Sequence, residues 1–235
     1  MLLAVVVAPA LKVATGGLHS HIDYQAFVGV GTVGLVVPLS CIFAGLSVIV
    51  DRHEGAQREL LAAPVPRGFL VVGNLVVALG LAGLQVVVLI GLAALRGAQF
   101  DITATGVSWF IAATLLFTVF MYGLAETVAS RVQKQEDYIG ATPALAILPF
   151  FFAGALFPIT AMPGALAAIA KVLPLTHALA LMRYGLIDHS GKGLHDIWGM
   201  HSVSAEAWLS LGVVAIFAVA LTAISIRVFS RSAVK

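Results

Sequence analysis

The sequence contains few charged residues. Only 10% of its 235 residues are Asp, Glu, Lys or Arg, against roughly a quarter in an ordinary soluble domain. So few charges cannot cover a water-exposed surface, which argues against a soluble globular protein. The net charge of +2 comes without a basic tract, so nothing in the sequence indicates nucleic-acid binding. The single cysteine, Cys41, has no partner in the chain, which excludes an intramolecular disulfide.

Signatures of catalysis and of ion coupling are also scarce. The phosphate-binding pattern G-x-x-x-x-G-K-[ST] does not occur, so any ATP hydrolysis is expected on a partner. Glu126 is the only acid inside an apolar block, and we interpret it as an interface-paired or snorkelling residue; a coupling carboxylate is the alternative. Six histidines are predicted to lie in outer loops, and without accompanying cysteines we do not predict a metal site there. They are His19, His21, His177, His189, His195 and His201.

Long apolar blocks make up most of the chain, and 60% of the residues are hydrophobic. A helix needs about 20 apolar residues to cross the hydrocarbon core of a bilayer. We therefore predict one all-α polytopic membrane domain over residues 1–235, with about six spans. The first block is about 15 residues long and is predicted to be a partial span, which upstream sequence would complete. The predicted spans are about 1–15, 27–50, 69–95, 107–130, 139–160 and 208–229, with an outer segment at 161–206.

The distribution of Lys and Arg predicts the orientation of these spans. If the loop at residues 51–67 is cytoplasmic, eight basic residues lie inside and five outside, in agreement with the positive-inside rule. The C-terminus is then cytoplasmic, and residues 192–204 face outward. Four residues inside predicted spans are candidates for lining a substrate path, although interhelical hydrogen bonding for the amides and packing for the rings are the alternatives. They are Asn74, Gln85, Phe150 and Phe151.

Two segments resemble a known family. The first is D-R-H-E-G-A-Q-R-E-L-L-A-A-P-V-P-R at residues 51–67, directly after an apolar block. The second covers residues 148–186 and contains L-P-F-F-F-A-G-A-L-F-P-I-T-A-M-P-G and, later, P-L-T-H-A-L-A-L-M-R. Both resemble the ABC-2 type permeases, especially drug and antibiotic exporters similar to the daunorubicin-resistance permease. The resemblance covers nearly the whole chain from about Tyr24 onward.

The resemblance implies a type V exporter-like transmembrane domain with a re-entrant helical hairpin before the last span. It implies a permease subunit that moves an amphipathic drug, antibiotic or lipid-like substrate out of the cell across the cell membrane. ATP and Mg²⁺ would bind a separate ATPase subunit, and this chain would carry no cofactor. The other expected partners are membrane lipid and a second permease copy, identical or paralogous. The alternatives are a permease for polysaccharide or for metal-centre maturation, and a membrane scaffold or remnant that transports nothing.

The first segment is, by the resemblance, the coupling helix that docks on the ATPase. Two prolines near its end are expected to stop a short helix. Composition alone favours an ordinary solvated loop, and the resemblance reverses this preference. The candidate coupling residues are Asp51, Arg52, Glu54, Gly55, Arg58, Glu59, Pro64 and Arg67.

The second segment is, by the resemblance, an outer gate built from two short re-entrant helices. Its prolines prevent a continuous helix, and backbone groups freed at membrane depth need protein or water as partners. Arg183 is expected to cap backbone carbonyls or to pair with Asp188. The candidate gate residues are Pro158, Pro163, Gly164, Pro174, Thr176 and Arg183.

Overall fold

The computed structural model describes residues 23–56 and 66–232, and this part of the chain is helical without strands. The long helices are α1 (Tyr24–Glu54), α2 (Arg67–Leu95), α3 (Ala104–Ala129) and α9 (Val203–Ser232). Shorter elements lie between α3 and α9: α4 (Gln135–Thr142), a π-helical turn (Pro143–Ile147), α5 (Leu148–Phe152), a 3₁₀ turn (Ile159–Ala161), α6 (Gly164–Ala170), α7 (Pro174–Leu186) and α8 (Lys192–Trp198).

Four of these helices, α1, α2, α3 and α9, are long and apolar enough to cross a membrane. The pair α6 and α7 is bent by 80° and adds a fifth candidate if it counts as one span. Within the described residues the structure therefore has four or five candidate spans, which confirms an all-α polytopic fold. The predicted partial span at 1–15 lies outside the described residues.

The prediction of one continuous span at 139–160 differs from the structure. The helical run there begins at Gln135, ends at Phe152 and changes to a π-helical turn after Pro143. Proline disturbs the preceding helical turn, and here the hydrogen bond runs from the Leu148 N–H to the Pro143 carbonyl, five residues apart. After Phe152 the chain turns at Gly154, whose φ of +74° favours glycine. The run is therefore shorter than predicted and is interrupted by a π-helical turn.

Helix α3 lies at the centre of the bundle and packs against α1, α2, α7 and α9. The spanning windows of α1 and α3 are 50% and 44% buried inside the protein, whereas those of α2 and α9 are only 17% and 22% buried. The exposed side chains of α2 and α9 are largely apolar, as expected for surfaces that meet lipid or another membrane protein.

Candidate functional site

One candidate site lies where α1 ends and the predicted coupling loop begins; we call it the Arg52 end. The Arg52 guanidinium donates from Nη1 to the Val132 carbonyl at 3.1 Å and from Nη2 to the Ala129 carbonyl at 3.2 Å. The last carbonyls of a helix lack partners within the helix and attract positive charge. Arg52 therefore connects the start of the loop to the C-terminal end of α3.

The structure describes the first part of the predicted coupling loop. Glu54 is exposed, and Gly55 ends α1 with a φ of +84°, a conformation that favours glycine. Asp51 lines a cavity of about 200 Å³ between α1, α2 and α9. The candidates Arg58, Glu59 and Pro64 lie outside the described residues, as does the side chain of Arg67, the first residue of α2.

A buried carboxylate lies close to the Arg52 connection. Glu126 on α3 is fully buried, and the Tyr122 hydroxyl one turn earlier donates to its Oε2 at 3.1 Å. Its Oε1 has no hydrogen-bond partner among the described residues. Arg52 lies near enough to interact electrostatically with this carboxyl group, and Asn74 on α2 lies near the Tyr122 hydroxyl. The four side chains form one polar cluster that joins α1, α2 and α3.

The four candidates for a substrate path lie in different surroundings. Gln85 is exposed on α2 and accepts a hydrogen bond from the Ser40 hydroxyl, which joins α2 to α1. Asn74 is also exposed and lines the small cavity next to Asp51. Phe150 is buried in the core, whereas the adjoining Phe151 ring is 47% exposed and meets it edge-on. Their role in a substrate path stays a prediction.

A second candidate site lies at the opposite end of α1, around the turn that follows α5; we call it the Arg183 end. Arg183 on α7 donates from Nη1 to the Gly154 carbonyl at 2.9 Å and from Nη2 to the Ala155 carbonyl at 2.7 Å. Its guanidinium carbon lies 3.5 Å from the centre of the Phe27 ring, a cation–π contact. The Nε atom is buried and has no partner among the described residues.

Helix α1 holds the same turn in place. The Tyr24 hydroxyl donates to the Leu156 carbonyl at 3.0 Å. Gly31 lies so close to the turn that a Cβ at this position would overlap the Ala155 carbonyl oxygen. The turn is therefore fixed by contacts with both α1 and α7.

The candidate gate prolines stand at the beginnings of helical elements. Pro158 precedes the 3₁₀ turn, Pro163 precedes α6, which begins at Gly164, and Pro174 is the first residue of α7. A proline is tolerated there because the first N–H groups of a helix have no intrahelical acceptor. The prolines thus explain where the 80° bend between α6 and α7 arises. Its position within a membrane stays a prediction.

A cavity of about 600 Å³ opens between the turn after α5, helix α7 and the segment that carries α8. Both Arg183 and Thr176 line it, and the Thr176 hydroxyl is buried without a partner among the described residues. Asp188, the other partner considered for Arg183, accepts hydrogen bonds from the backbone N–H groups of Ser190 at 3.0 Å and Lys192 at 3.3 Å. The volume falls in the usual range of small-molecule sites.

The prediction that His177 is a loop residue was wrong. His177 lies in α7, is 2% exposed, and contacts the Lys171 carbonyl through Nε2 at 3.0 Å and the Ser210 hydroxyl through Nδ1 at 3.2 Å. Trp198 also donates to the Ser210 oxygen at 2.8 Å. A neutral imidazole with its proton on Nε2 satisfies all three contacts. His177 therefore joins α7, α8 and α9. The sequence did contain a signal for its burial, because His177 stands in the apolar stretch after Pro174.

The described part of the chain has no group of three His, Cys, Asp or Glu side chains placed to hold a metal ion. Two of the histidines predicted to lie in outer loops contact acidic side chains. His189 lies 3.3 Å from Asp101, and the His195 Nδ1 lies 3.3 Å from Oε1 of the buried Glu206. His19 and His21 lie outside the described residues.

Comparisons with known proteins agree with this architecture. The chain is 26% identical over 190 residues to the inner membrane transport permease YadH of Escherichia coli (strain K12), which covers 77% of this chain and 68% of that protein. It is 24% identical over 185 residues to nodulation protein J of Sinorhizobium fredii (strain NBRC 101917 / NGR234), covering 76% and 68% respectively. The model of the ABC-2 type transporter family matches residues 2–187. Because this match spans most of the chain, the protein belongs to the ABC-2 type transporter family of multi-pass membrane permeases.

Proposed function

We propose that the chain is the membrane-spanning permease subunit of an exporter driven by a separate ABC ATPase. ABC-2 permeases generally work with such an ATPase and pair as dimers, which supports this assignment. ATP and Mg²⁺ bind the ATPase subunit, and the permease moves an amphipathic drug, antibiotic or lipid-like molecule outward. The similarity to a protein named as an inner membrane transport permease supports the cell membrane as its location.

The connection between the coupling loop and α3 carries this proposal. Arg52 stands at the loop and holds the carbonyl of Ala129, the last residue of α3, and the carbonyl of Val132 just beyond it. A displacement of the loop would therefore move the end of α3 through two hydrogen bonds. Because α3 packs against α1, α7 and α9, the motion would reach the helices at the Arg183 end. A docked ATPase that pushes on the loop has a direct mechanical route into the bundle.

The proposed topology places the loop and the C-terminus in the cytoplasm and the Arg183 end outside. The excess of Lys and Arg on the loop side supports this orientation. A single cysteine at Ser190 in a Cys41→Ser background checks it, because Ser190 is exposed in the segment between α7 and α8. A membrane-impermeant maleimide should label this cysteine in intact cells. Labelling only after the cells are opened would reverse the orientation.

Charge reversal at Glu54 tests the coupling role. Glu54 is exposed, so Glu54→Lys should leave folding and membrane insertion unchanged. It should weaken ATPase docking by about 1 to 3 kcal/mol, because it removes an attractive charge and adds repulsion at the interface. Glu136→Lys is the matched control, since Glu136 is also an exposed acid, in the first turn of α4. Co-purification with the co-expressed ATPase and export from membrane vesicles are measured for both variants.

Docking and export should fall together for Glu54→Lys and stay near wild type for Glu136→Lys. If Glu54→Lys retains the ATPase and exports normally, the loop is only solvated and the coupling assignment is abandoned. If both variants lose docking equally, the effect reflects the net charge of this face, and a specific role for Glu54 is excluded.

A further inference from the structure

The cavity at the Arg183 end has the features of a ligand site. We propose that it binds the anionic headgroup, a carboxylate or a phosphate, of an amphiphile, with Arg183 and Thr176 as the polar contacts. The identification of this amphiphile with the exported substrate rests on the proposed function. Binding itself requires only the permease.

Two buried polar atoms in this cavity lack partners within the described part of the chain. They are the Nε of Arg183 and the Oγ1 of Thr176, and the Thr176 residue is only 3% exposed. Most buried donors and acceptors in native proteins are paired, because an unpaired one loses its hydrogen bonds to water. Both side chains line the same cavity. A ligand that accepts hydrogen bonds from both would satisfy them together.

The geometry of Arg183 selects an anion. A guanidinium carries five N–H donors in one plane, and Arg183 uses Nη1 and Nη2 for the Gly154 and Ala155 carbonyls. The ring of Phe27 covers one face of the guanidinium. The Nε donor on the remaining edge has no partner among the described residues, and such an edge suits the paired oxygens of a carboxylate or a phosphate. The threonine hydroxyl supplies a further donor.

The walls of the cavity select an apolar body for the ligand. Side chains such as Phe27, Ile159, Ile187, Ile197 and Val203 line it. An inorganic anion would leave this apolar surface without contacts, whereas the chain of an amphiphile would bury it and gain free energy from the hydrophobic effect. The combination of an arginine edge with apolar walls therefore points to an amphiphile rather than to a free ion.

Other charges around the cavity decide how strongly an anion is held. Lys192, His195 and His201 add positive or titratable groups, whereas Asp188 and Asp196 oppose an anion. The carboxylate of Asp188 is occupied by backbone N–H groups and by the Ser190 hydroxyl. Asp188 and Asp196 both repel a bound headgroup, and Asp196→Asn, which removes one of these charges, should strengthen binding.

A pair of threonine variants tests the site. Dodecyl phosphate is titrated into the purified permease in neutral phosphatidylcholine nanodiscs, without an ATPase. Thr176→Val should weaken binding about three- to tenfold, because one hydrogen bond to a charged group is lost. Thr222→Val is the matched control, since the Thr222 hydroxyl on α9 is also buried and unpartnered but does not line this cavity. It should bind like the wild type.

The threonine substitution separates binding from folding. Neither hydroxyl has a partner among the described residues, so both valine variants should unfold thermally at or above the wild-type temperature. Arg183→Lys retains the charge but loses the forked edge, and it should weaken binding further. If Thr176→Val binds dodecyl phosphate like the wild type, or if Thr222→Val loses as much affinity, the proposed site is wrong.

Two further arms identify the source of the anion. Inorganic phosphate should bind much more weakly than dodecyl phosphate; equal affinity would overturn the amphiphile assignment. Phosphatidic acid added to the nanodiscs should compete with dodecyl phosphate if a bilayer lipid occupies the site. Without such competition, the site selects single-chain amphiphiles.

The test of this site is separate from the test of the proposed function. If the permease does not bind dodecyl phosphate but Glu54→Lys weakens ATPase docking as expected, only the ligand site is refuted. If the permease binds dodecyl phosphate but Glu54→Lys leaves ATPase docking unchanged, only the ATPase coupling is refuted.

Discussion

Arg52 and Arg183 make the same kind of contact at the two ends of the helix bundle, but in different surroundings. Each donates two hydrogen bonds to backbone carbonyls of a neighbouring segment. The Arg52 guanidinium lies near the buried carboxyl group of Glu126. Arg183 instead lies on the Phe27 ring, and its buried Nε has no partner within residues 23–56 and 66–232.

This difference separates a mechanical role from a binding role. At the Arg52 end the guanidinium connects α1 to the segment at the end of α3, as expected for a part that transmits motion from one subunit to another. The Arg183 end offers unused hydrogen-bond donors beside a cavity, as expected for a part that meets a ligand. The following predictions test this distinction.

Alanine substitution of the two arginines should give the largest effect. Arg183→Ala removes the donors for two buried carbonyls, Gly154 and Ala155, together with a cation–π contact, and should destabilise folding by about 3 to 5 kcal/mol. Arg52→Ala should cost less, about 1 to 2 kcal/mol, because one of the two carbonyls that it holds, Val132, belongs to a partly exposed residue. Denaturation in mixed detergent micelles measures both. An equal loss would remove the distinction between the two ends.

Alanine substitution of two glycines in α1 should give an intermediate loss of stability, and the atom that the new Cβ meets differs between the two positions. Gly31→Ala would push a Cβ into the Ala155 backbone oxygen, and should cost about 2 to 3 kcal/mol. Gly45→Ala would instead meet the hydroxyl of Tyr138, which belongs to a side chain. Tyr138→Phe should therefore rescue part of the Gly45→Ala loss, by about 1 kcal/mol in a double-mutant cycle. Tyr138→Phe provides no relief for Gly31→Ala, and rescue of both variants would contradict the assigned contacts.

Asp196→Asn should give the smallest effect. Burial raises the pKa of Asp196, and the nearby charge of Asp188 raises it further. His195, Lys171 and Lys192 lower the same pKa, but the net shift is upward. Because the folded state then binds the carboxyl proton more tightly than the unfolded state, Asp196 contributes most to the free energy of unfolding at low pH. This contribution is lost as the pH rises from about 3.8, the ordinary carboxyl pKa, through the folded-state pKa. Asp196→Asn should thus stabilise by less than about 0.5 kcal/mol at pH 7.5, and not at pH 3.5.

Thermal unfolding at both pH values measures the Asp196 effect. The matched control is Asp137→Asn, because Asp137 is an exposed acid near the Arg52 end. This variant should show no gain at pH 7.5. A gain of the same size in both variants would indicate a general charge effect rather than the partial burial of Asp196.

Several features of the two ends were predictable from the order of residues. The charged run after the second apolar block indicated the loop at the Arg52 end, and α1 ends there at Glu54. Pro163 and Pro174 indicated the starts of short helices, and α6 and α7 begin at these positions. These predictions succeed because proline acts on its own turn of the chain, whatever packs against it.

The partners of the two arginines were beyond such reasoning. Arg52 contacts a carbonyl 80 positions away, and Arg183 contacts carbonyls 29 and 28 positions away. The sequence left two alternatives for Arg183, capping of backbone carbonyls or pairing with Asp188. Only the folded chain shows that Arg183 binds the carbonyls of the turn after α5 rather than Asp188. The burial of His177 was missed because its partners Ser210 and Trp198 lie on other helices.

By itself, the amino-acid sequence determined that this protein is helical, crosses a membrane several times and carries a charged loop between two spans. The reason is local: the thickness of the bilayer sets the length of an apolar run, and a backbone in lipid must satisfy its own hydrogen bonds. Only the tertiary structure decided which carbonyls Arg52 and Arg183 hold and which buried donors remain unpaired beside a cavity. Those outcomes depend on distances between helices that are remote in sequence, which no local pattern specifies.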